Sequence, residues 1–180
     1  MPDAGLRTDD LILVLGGTRS GKSAVAESLA RQLGDELTYV ATAIVRPDDA
    51  DHQARIAAHR DRRPASWTTI ECTDPAALPA LLGSIEAPVL LDSLGTWVAN
   101  HRDLRVDGAA LADALRSRRF GTVVVSEEVG WSLHAPTAIG RSFVDAMGTL
   151  NQQIAAVADR ALLVVAGRVL ELPPAGVDEC

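Results

Sequence analysis

The feature that most constrains this chain is an apolar segment that runs directly into a glycine-rich turn. Residues 11–15 read LILVL, and the turn that follows reads GGTRSGKS (16–23). Five consecutive apolar residues before two glycines predict a strand buried on both faces of a parallel sheet. Lys22 lies in the turn, and it is the only lysine of the chain. A buried strand, a tight turn and a helix in this order favour an α/β fold.

Strand-like and helix-like segments alternate along the rest of the chain. Apolar and β-branched runs predict strands over 37–43, 67–71, 87–93 and 122–128, with one or two closing strands over 161–172. Helical spacing and breakers predict helices over 24–34, 49–64, 74–85, 107–119 and about 137–160. The alternation predicts a mostly parallel sheet with helices on both faces, so ligands are expected in the loops 16–23, 42–50, 92–101 and 126–136.

Composition excludes several classes of protein. A net charge of −7 argues against a chain that neutralises a nucleic-acid backbone, so we expect no nucleic-acid partner. No apolar run approaches the roughly 20 residues needed to cross a bilayer, and no secretory signal is visible at the start. We therefore expect a cytoplasmic protein without a transmembrane segment. Its 180 residues suit one domain spanning 1–180, with 1–9 and 173–180 as flexible tails.

The glycine-rich turn fits the phosphate-binding pattern G-x-x-x-x-G-K-[ST] in the required place between a strand and a helix. Backbone N–H groups of such a loop wrap phosphates, and a compact ammonium reaches the β- and γ-phosphates where a guanidinium is too large. The predicted phosphate-binding residues are Gly16, Gly17, Thr18, Arg19, Ser20, Gly21, Lys22 and Ser23. The pattern predicts a P-loop NTP-binding domain with Lys22 as a catalytic residue.

Carboxylates follow two of the predicted strands. Asp92 ends the run PVLLD, where P-loop proteins place a carboxylate that orients Mg²⁺, and the hydroxyl of Ser23 is the expected second metal ligand. A helix cap is the alternative for Asp92. Glu127 and Glu128 end another strand. Either one is a candidate general base or substrate ligand, and the alternative is a solvated carboxylate.

A cationic histidine segment limits the choice of NTP protein. A signalling GTPase needs a second lysine for its guanine motif, so this class is disfavoured. The segment RIAAHRDRRP (55–64) places His59 among four arginines, which discourage protonation of its ring and leave a nitrogen free to attack phosphorus. Its alternative is an exposed helical face. A small-molecule kinase, a nucleotidyltransferase and a regulatory ATPase all remain open at this point.

Several motifs in fixed order resemble one family, the bifunctional adenosylcobinamide kinase/adenosylcobinamide-phosphate guanylyltransferases. The resemblance is carried by GGTRSGKS, YVATA (39–43), RIAAHRDRRP followed by WTTIE, LLDSLGTWVAN (90–100), EVGW (128–131) and RSFVDAMGTLNQQIAAVAD (141–159), and it covers nearly the whole chain. It implies a RecA-like P-loop fold with a C-terminal hairpin, a homotrimer, and GTP, ATP and Mg²⁺ as cofactors. At the position of Glu127 the family commonly has asparagine.

The resemblance also implies two successive reactions. An NTP first phosphorylates the aminopropanol hydroxyl of adenosylcobinamide, and His59 then attacks the α-phosphate of GTP to form a guanylyl-histidine. The substrate phosphate takes the GMP, giving adenosylcobinamide-GDP. Besides the loop, the matched nucleotide contacts are Ala41, Thr42, Ala43, Arg60, Asp61, Arg62, Arg63, Glu71 and Asp92. A P-loop kinase without nucleotidyl transfer and a regulatory NTP-binding module stay as alternatives.

Overall fold

A computed structural model describes residues 6–44, 63–131 and 135–174. The strands within these ranges are β1 (Leu11–Gly16), β2 (Thr38–Ala41), β3 (Thr68–Glu71), β4 (Val89–Asp92), β5 (Thr122–Glu127), β6 (Arg160–Val165) and β7 (Arg168–Leu172). The helices are α1 (Lys22–Leu33), α2 (Leu78–Ser84), α3 (Leu94–Asn100), α4 (Gly108–Arg116) and α5 (Ala138–Val157), and a 3₁₀ turn at Pro75–Ala77 precedes α2.

The described strands form one sheet in the spatial order β3-β2-β4-β5-β1-β6-β7. All neighbours are parallel except β6 and β7, which form an antiparallel hairpin. The sheet confirms the predicted α/β class and the C-terminal hairpin. Because β5 lies between β1 and β4, the residues that end β5 come between the glycine-rich loop and Asp92.

Strand β1 is buried along its full length because both faces of the sheet are covered. Its alternate residues Ile12 and Val14 pack in the cluster that contains Ala26 and Ala30 of α1. Leu13 and its same-face neighbours join the opposite cluster with residues of α2 to α5. Period-two alternation thus divides one apolar run between two cores, which explains why LILVL shows no polar residue.

Two predicted segments differ from the structure in an informative way. The sequence pattern predicts a loop over 92–101, but residues 94–100 form α3. The signal is a capping box, in which Ser93 and Thr96 satisfy each other's backbone N–H groups at the start of the helix. The prediction of a helix over 74–85 is interrupted by the 3₁₀ turn. The predicted helix over 49–64 lies outside the described residues, apart from its last two positions.

Arg118 organises the edge of the sheet where β5 begins. Its guanidinium donates to the carbonyls of Leu82, Ile85 (3.1 Å) and Ala87 (2.6 Å), and its Nε donates to the hydroxyl of Thr122 at 2.9 Å. Leu82 lies in the last turn of α2, where its carbonyl also accepts from the N–H of Ile85 at 3.4 Å, and Ile85 is the residue directly after the helix. Burial lowers the pKa of Arg118 to about 10. The side chain therefore joins α2, β4 and β5 at this edge.

Among the described residues, none of the helices combines the length and the apolar character that crossing a bilayer requires.

Candidate functional site: a phosphate-binding loop beside paired carboxylates

The glycine-rich loop closes directly after β1 and leads into α1. Within it, the backbone N–H of Ser20 donates to the carbonyl of Gly17 at 3.2 Å, and the N–H of Lys22 donates to the hydroxyl of Ser20 at 3.3 Å. Arg19 has a φ of 58°, a left-handed conformation that costs energy for a residue with a side chain. These two bonds and the left-handed conformation of Arg19 fix the path of the loop between β1 and α1.

Two of the glycines are required by close contacts or by conformation. A Cβ at Gly16 would lie 2.7 Å from the carbonyl oxygen of Val164, which is closer than real Cβ contacts. Gly21 has a φ of 95°, and it lies against Gly167 of the β6–β7 turn. The N–H of Gly167 donates to the carbonyl of Ser20 at 2.8 Å, so the turn of the β6–β7 hairpin is hydrogen-bonded to the loop and holds it in place.

Lys22 extends across the loop to a carboxylate. Its Nζ donates to the carbonyl of Gly17 at 3.4 Å and lies 3.9 Å from Oε1 of Glu127, and only 12% of its side chain is exposed. Both contacts are long, so the ammonium is placed in the loop without strong bonds of its own. The ammonium can therefore bind a phosphate oxygen that enters the loop, in place of these two long contacts.

Glu127 is fixed by both of its carboxylate oxygens. Oε1 accepts from the hydroxyl of Ser93 at 2.9 Å, and Oε2 accepts from the N–H of Gly95 at 2.8 Å. Its own carbonyl accepts from Nδ2 of Asn151 on α5 at 3.1 Å. Burial raises the pKa of Glu127, while the charge of Lys22 and the hydrogen bond from Ser93 oppose this rise. The carboxylate is part of the wall between the loop and α3.

Glu128 faces another direction. Its Oε1 accepts from the N–H of Gly130 at 2.8 Å, while its backbone N–H donates to the carbonyl of Gly16 at 3.1 Å. Of the two carboxylates that are equivalent in the sequence, only Glu127 is paired with Lys22 in the structure. Strand alternation explains the difference, because neighbouring side chains leave a strand on opposite sides.

Asp92 ends β4 on the same sheet edge, and its carboxylate belongs to a second cluster. Oδ2 accepts from the hydroxyl of Tyr39 at 2.5 Å. Burial and the charge of Asp92 raise the pKa of Tyr39 far above its usual range, so the phenol keeps its proton and donates it in this bond. The guanidinium of Arg63 covers the Tyr39 ring at 3.4 Å, and its Nη1 donates to Thr69 at 3.3 Å.

Thr42 joins β2 to the start of α3. Its hydroxyl donates to the carbonyl of Ser93 at 2.7 Å, accepts from the N–H of Ser93 at 2.9 Å, and also contacts the hydroxyl of Thr96. The carbonyl of Thr42 accepts from Nδ2 of Asn100 at 2.7 Å. These bonds fix the loop after β2 against the turn that also holds Glu127.

The sheet brings most of the predicted residues to one edge. Register pairs Gly16 with Glu127, and it pairs Ala41 with both Asp92 and Glu71, whose side chain is exposed. His59, Arg60, Asp61 and Arg62 lie outside the described residues. Tyr39, Ser93 and Gly95 were not predicted as site residues, although the motifs YVATA and LLDSLGTWVAN contain them. The structure makes Tyr39 a diagonal neighbour of Asp92, because the register pairs Ala41, two positions later, with Asp92.

The chain is similar to curated proteins along most of its length. It is 40% identical over 169 residues to the bifunctional adenosylcobalamin biosynthesis protein CobP of Pseudomonas aeruginosa, which covers 89% of this chain and 95% of that protein. It is 34% identical over 181 residues to the protein CobU of the same description from Salmonella typhimurium, covering 87% and 96%.

Among solved structures, an ATPase from the type III secretion system of pathogenic bacteria superposes with a TM-score of 0.54 at 12% identity, covering 87% of this chain and 51% of that one. At this identity the likeness concerns the fold alone, and it agrees with the predicted P-loop architecture. The sequence profile of one family, described as cobinamide kinase / cobinamide phosphate guanyltransferase, matches residues 12–172. Because this match spans most of the chain and agrees with the 40% identity to CobP, the chain belongs to the cobinamide kinase / cobinamide phosphate guanyltransferase family.

Proposed function

We propose that the protein phosphorylates the aminopropanol hydroxyl of adenosylcobinamide with an NTP and then transfers GMP from GTP to the product, giving adenosylcobinamide-GDP. The observation that carries this proposal is the loop 16–23 with its single lysine, in a chain that matches the family over residues 12–172. The resemblance further supports a homotrimer that acts in the cytoplasm.

The kinase step uses the loop. The backbone amides of the loop bind the phosphates, and the ammonium of Lys22 exchanges its two long contacts for phosphate oxygens. The hydroxyl oxygen of the substrate attacks the γ-phosphorus, and the bond between that phosphorus and the β-phosphate oxygen breaks. The nucleoside diphosphate leaves with the electron pair of this bond, and the hydroxyl proton passes to water. Positioning and charge stabilisation account for most of the rate in such reactions.

Mg²⁺ suits the oxygen donors that this edge offers. Ser23 supplies a hydroxyl and Asp92 a carboxylate, and no group of three His, Cys, Asp or Glu within the described ranges forms a cage for a metal. Mg²⁺ is typically held by one or two protein oxygens together with phosphates and water, so this donor set fits it. When bound, the ion neutralises charge on the phosphates. Tyr39 keeps the carboxylate of Asp92 in place for this role.

The transferase step is assigned to His59. A ring nitrogen attacks the α-phosphorus of GTP, the bond to the bridging oxygen breaks, and pyrophosphate leaves. An oxygen of adenosylcobinamide phosphate then attacks the guanylyl group and frees the histidine. Both ends of the segment that carries His59 support this assignment. In the sequence the segment follows β2, whose last residue pairs with Asp92. At its other end, the guanidinium of Arg63 stacks on the ring of Tyr39, which donates to Asp92.

The experiment separates the two reactions by mutation. In His59→Ala, phosphorylation of adenosylcobinamide should continue near the wild-type rate, whereas formation of adenosylcobinamide-GDP should stop. His52→Ala is the matched control from the same segment and should retain both reactions. Loss of phosphorylation in a folded His59→Ala protein would contradict the division of labour. If that variant still transfers GMP, a residue other than His59 is the nucleophile. If the rate of NTP hydrolysis by wild type is the same with and without the corrinoid, the protein acts as a regulatory NTP-binding module.

A further inference from the structure

Glu127 places a negative charge beside the one lysine of the phosphate-binding loop. Its Oε1 lies 3.9 Å from Nζ of Lys22, within a wall where only 25% of its side chain is exposed. A nucleoside triphosphate without a metal ion brings about four negative charges to the same ammonium. The carboxylate and the phosphates therefore compete for Lys22, and they repel each other at short range.

The carboxylate is too tightly held to move away when phosphates arrive. Leaving its position breaks the bonds from Ser93 and Gly95, and the backbone of residue 127 is itself bonded to Asn151. The fit on the α3 side is close as well, since a Cβ on Gly95 would lie 2.2 Å from Oε2. The carboxylate consequently stays beside the loop in the nucleotide-bound protein, and its ionised form is stabilised there by the donors Ser93 and Gly95 and by the ammonium of Lys22.

We propose that Glu127 is a specificity-determining residue that makes the loop select nucleotide complexed with Mg²⁺ over metal-free nucleotide. The ion removes two of the charges that Glu127 repels, so the penalty falls mainly on the metal-free form. This inference rests on the nucleotide binding of the proposed function. It assigns Glu127 a role in recognising the charge state of the ligand and gives no such role to Glu128, whose carboxylate is bonded to Gly130.

The test measures the dissociation constant of GTP by calorimetry, once with excess Mg²⁺ and once with EDTA. Glu127→Gln keeps the size of the side chain and removes its charge, Glu127→Asn removes it with a shorter side chain, and Glu128→Gln is the matched control. We expect both variants at 127 to bind metal-free GTP about tenfold more tightly than wild type, with a change of about threefold or less for the Mg²⁺ complex. Glu128→Gln should match wild type in both conditions.

Three outcomes would overturn the inference. If the ratio of the two dissociation constants is the same in wild type and in both folded variants at 127, the carboxylate does not select the charge state. If the variants lose affinity only for the Mg²⁺ complex, Glu127 is a metal ligand instead. If wild type binds GTP in neither condition, the proposed function fails together with the inference, whereas the first two outcomes leave that function intact.

Discussion

Lys22 and Arg118 lie at opposite ends of the parallel strands, and they differ in the number and length of the hydrogen bonds that their cationic groups donate. Arg118 donates four hydrogen bonds, to three carbonyls and one hydroxyl. Lys22 has one bond of 3.4 Å and an ion pair at 3.9 Å. Both are largely shielded from solvent, so exposure does not explain the difference. A cation that holds the fold together is saturated with short bonds, whereas a cation that serves a ligand retains bonding capacity for it.

The groups that contact the two cations also differ in charge. At the edge of Arg118, the partners are uncharged oxygens that belong to the end of α2 and to the strand β5. At the edge of Lys22, the partner is a carboxylate that has its own fixed bonds to Ser93 and Gly95. Under the proposed function, an incoming phosphate would replace weak contacts of Lys22 and leave the bonds of Glu127 to Ser93 and Gly95 intact. This arrangement keeps ligand exchange separate from the stability of the fold.

The largest expected effect is on Lys22. Replacing it by alanine should lower kcat/KM of the phosphorylation step by about 1,000-fold, because the ammonium stabilises charge on the transferred phosphoryl group. The midpoint of thermal unfolding should change little, since the hydrogen bond and the ion pair of Lys22 are both long and weak. Lys22→Arg should be nearly as inactive because the planar fork is larger than the ammonium. An active Lys22→Arg enzyme would show that charge alone suffices and would weaken the contrast between the two cations.

Arg118→Ala should show the reverse behaviour. Removing its hydrogen bonds takes a donor away from three carbonyls at a partly buried edge, of which Leu82 keeps the N–H of Ile85, so the free energy of unfolding should fall by about 2–3 kcal/mol. Urea unfolding measures this decrease, and Arg119→Ala, at the neighbouring exposed position, is the control. Affinity for GTP should stay within about twofold of wild type, because no part of the loop touches this edge. A larger decrease in affinity would show that the two edges are coupled.

The smallest effect concerns the pH dependence of Glu127. Burial raises its pKa in the folded protein, so its protonated form is favoured by folding. The associated stability is present below the pKa of the unfolded chain and is lost as pH rises through the folded value. Glu127→Gln does not titrate at this position, so its Tm should rise relative to that of wild type as the pH increases from 4 to 8. A difference that is constant with pH would mean that the carboxylate is equally ionised in both states.

Much of the fold follows from local patterns. The run LILVL and the turn after it predict β1, the loop and α1 because burial on two faces demands continuous apolar residues. Helix α3 escaped prediction since LDSLGTWVAN has no charged residue within the helix and a glycine in its first turn, although Ser93 and Thr96 carry the capping signal. Gly95 lowers the helical propensity of this segment, but burial of the Trp97 side chain in the core offsets that cost.

The candidate site is less accessible to sequence reasoning. Strand ends identified Asp92, Glu127 and Glu128 as candidates. Strand order decides whether the end of β4 or of β5 meets Lys22, and strand alternation then selects Glu127 over Glu128. That order places β5 between β1 and β4, which is a long-range choice that no local pattern records. The same holds for Tyr39, whose contact with Asp92 depends on the register between β2 and β4. Residue type and position at a strand end therefore suffice to nominate candidate residues, whereas the partners of those residues depend on strand order and register.

The central claim is that one chain combines this P-loop with a nucleophilic histidine. The most direct measurement is the intact mass of the protein after incubation with Mg²⁺ and GTP in the absence of corrinoid, on wild type and on His59→Ala. The account predicts a GMP adduct on wild type only, and acid should release it because the bond is a phosphoramidate. A folded wild type that binds GTP and acquires no adduct would contradict the account and leave a kinase without nucleotidyl transfer.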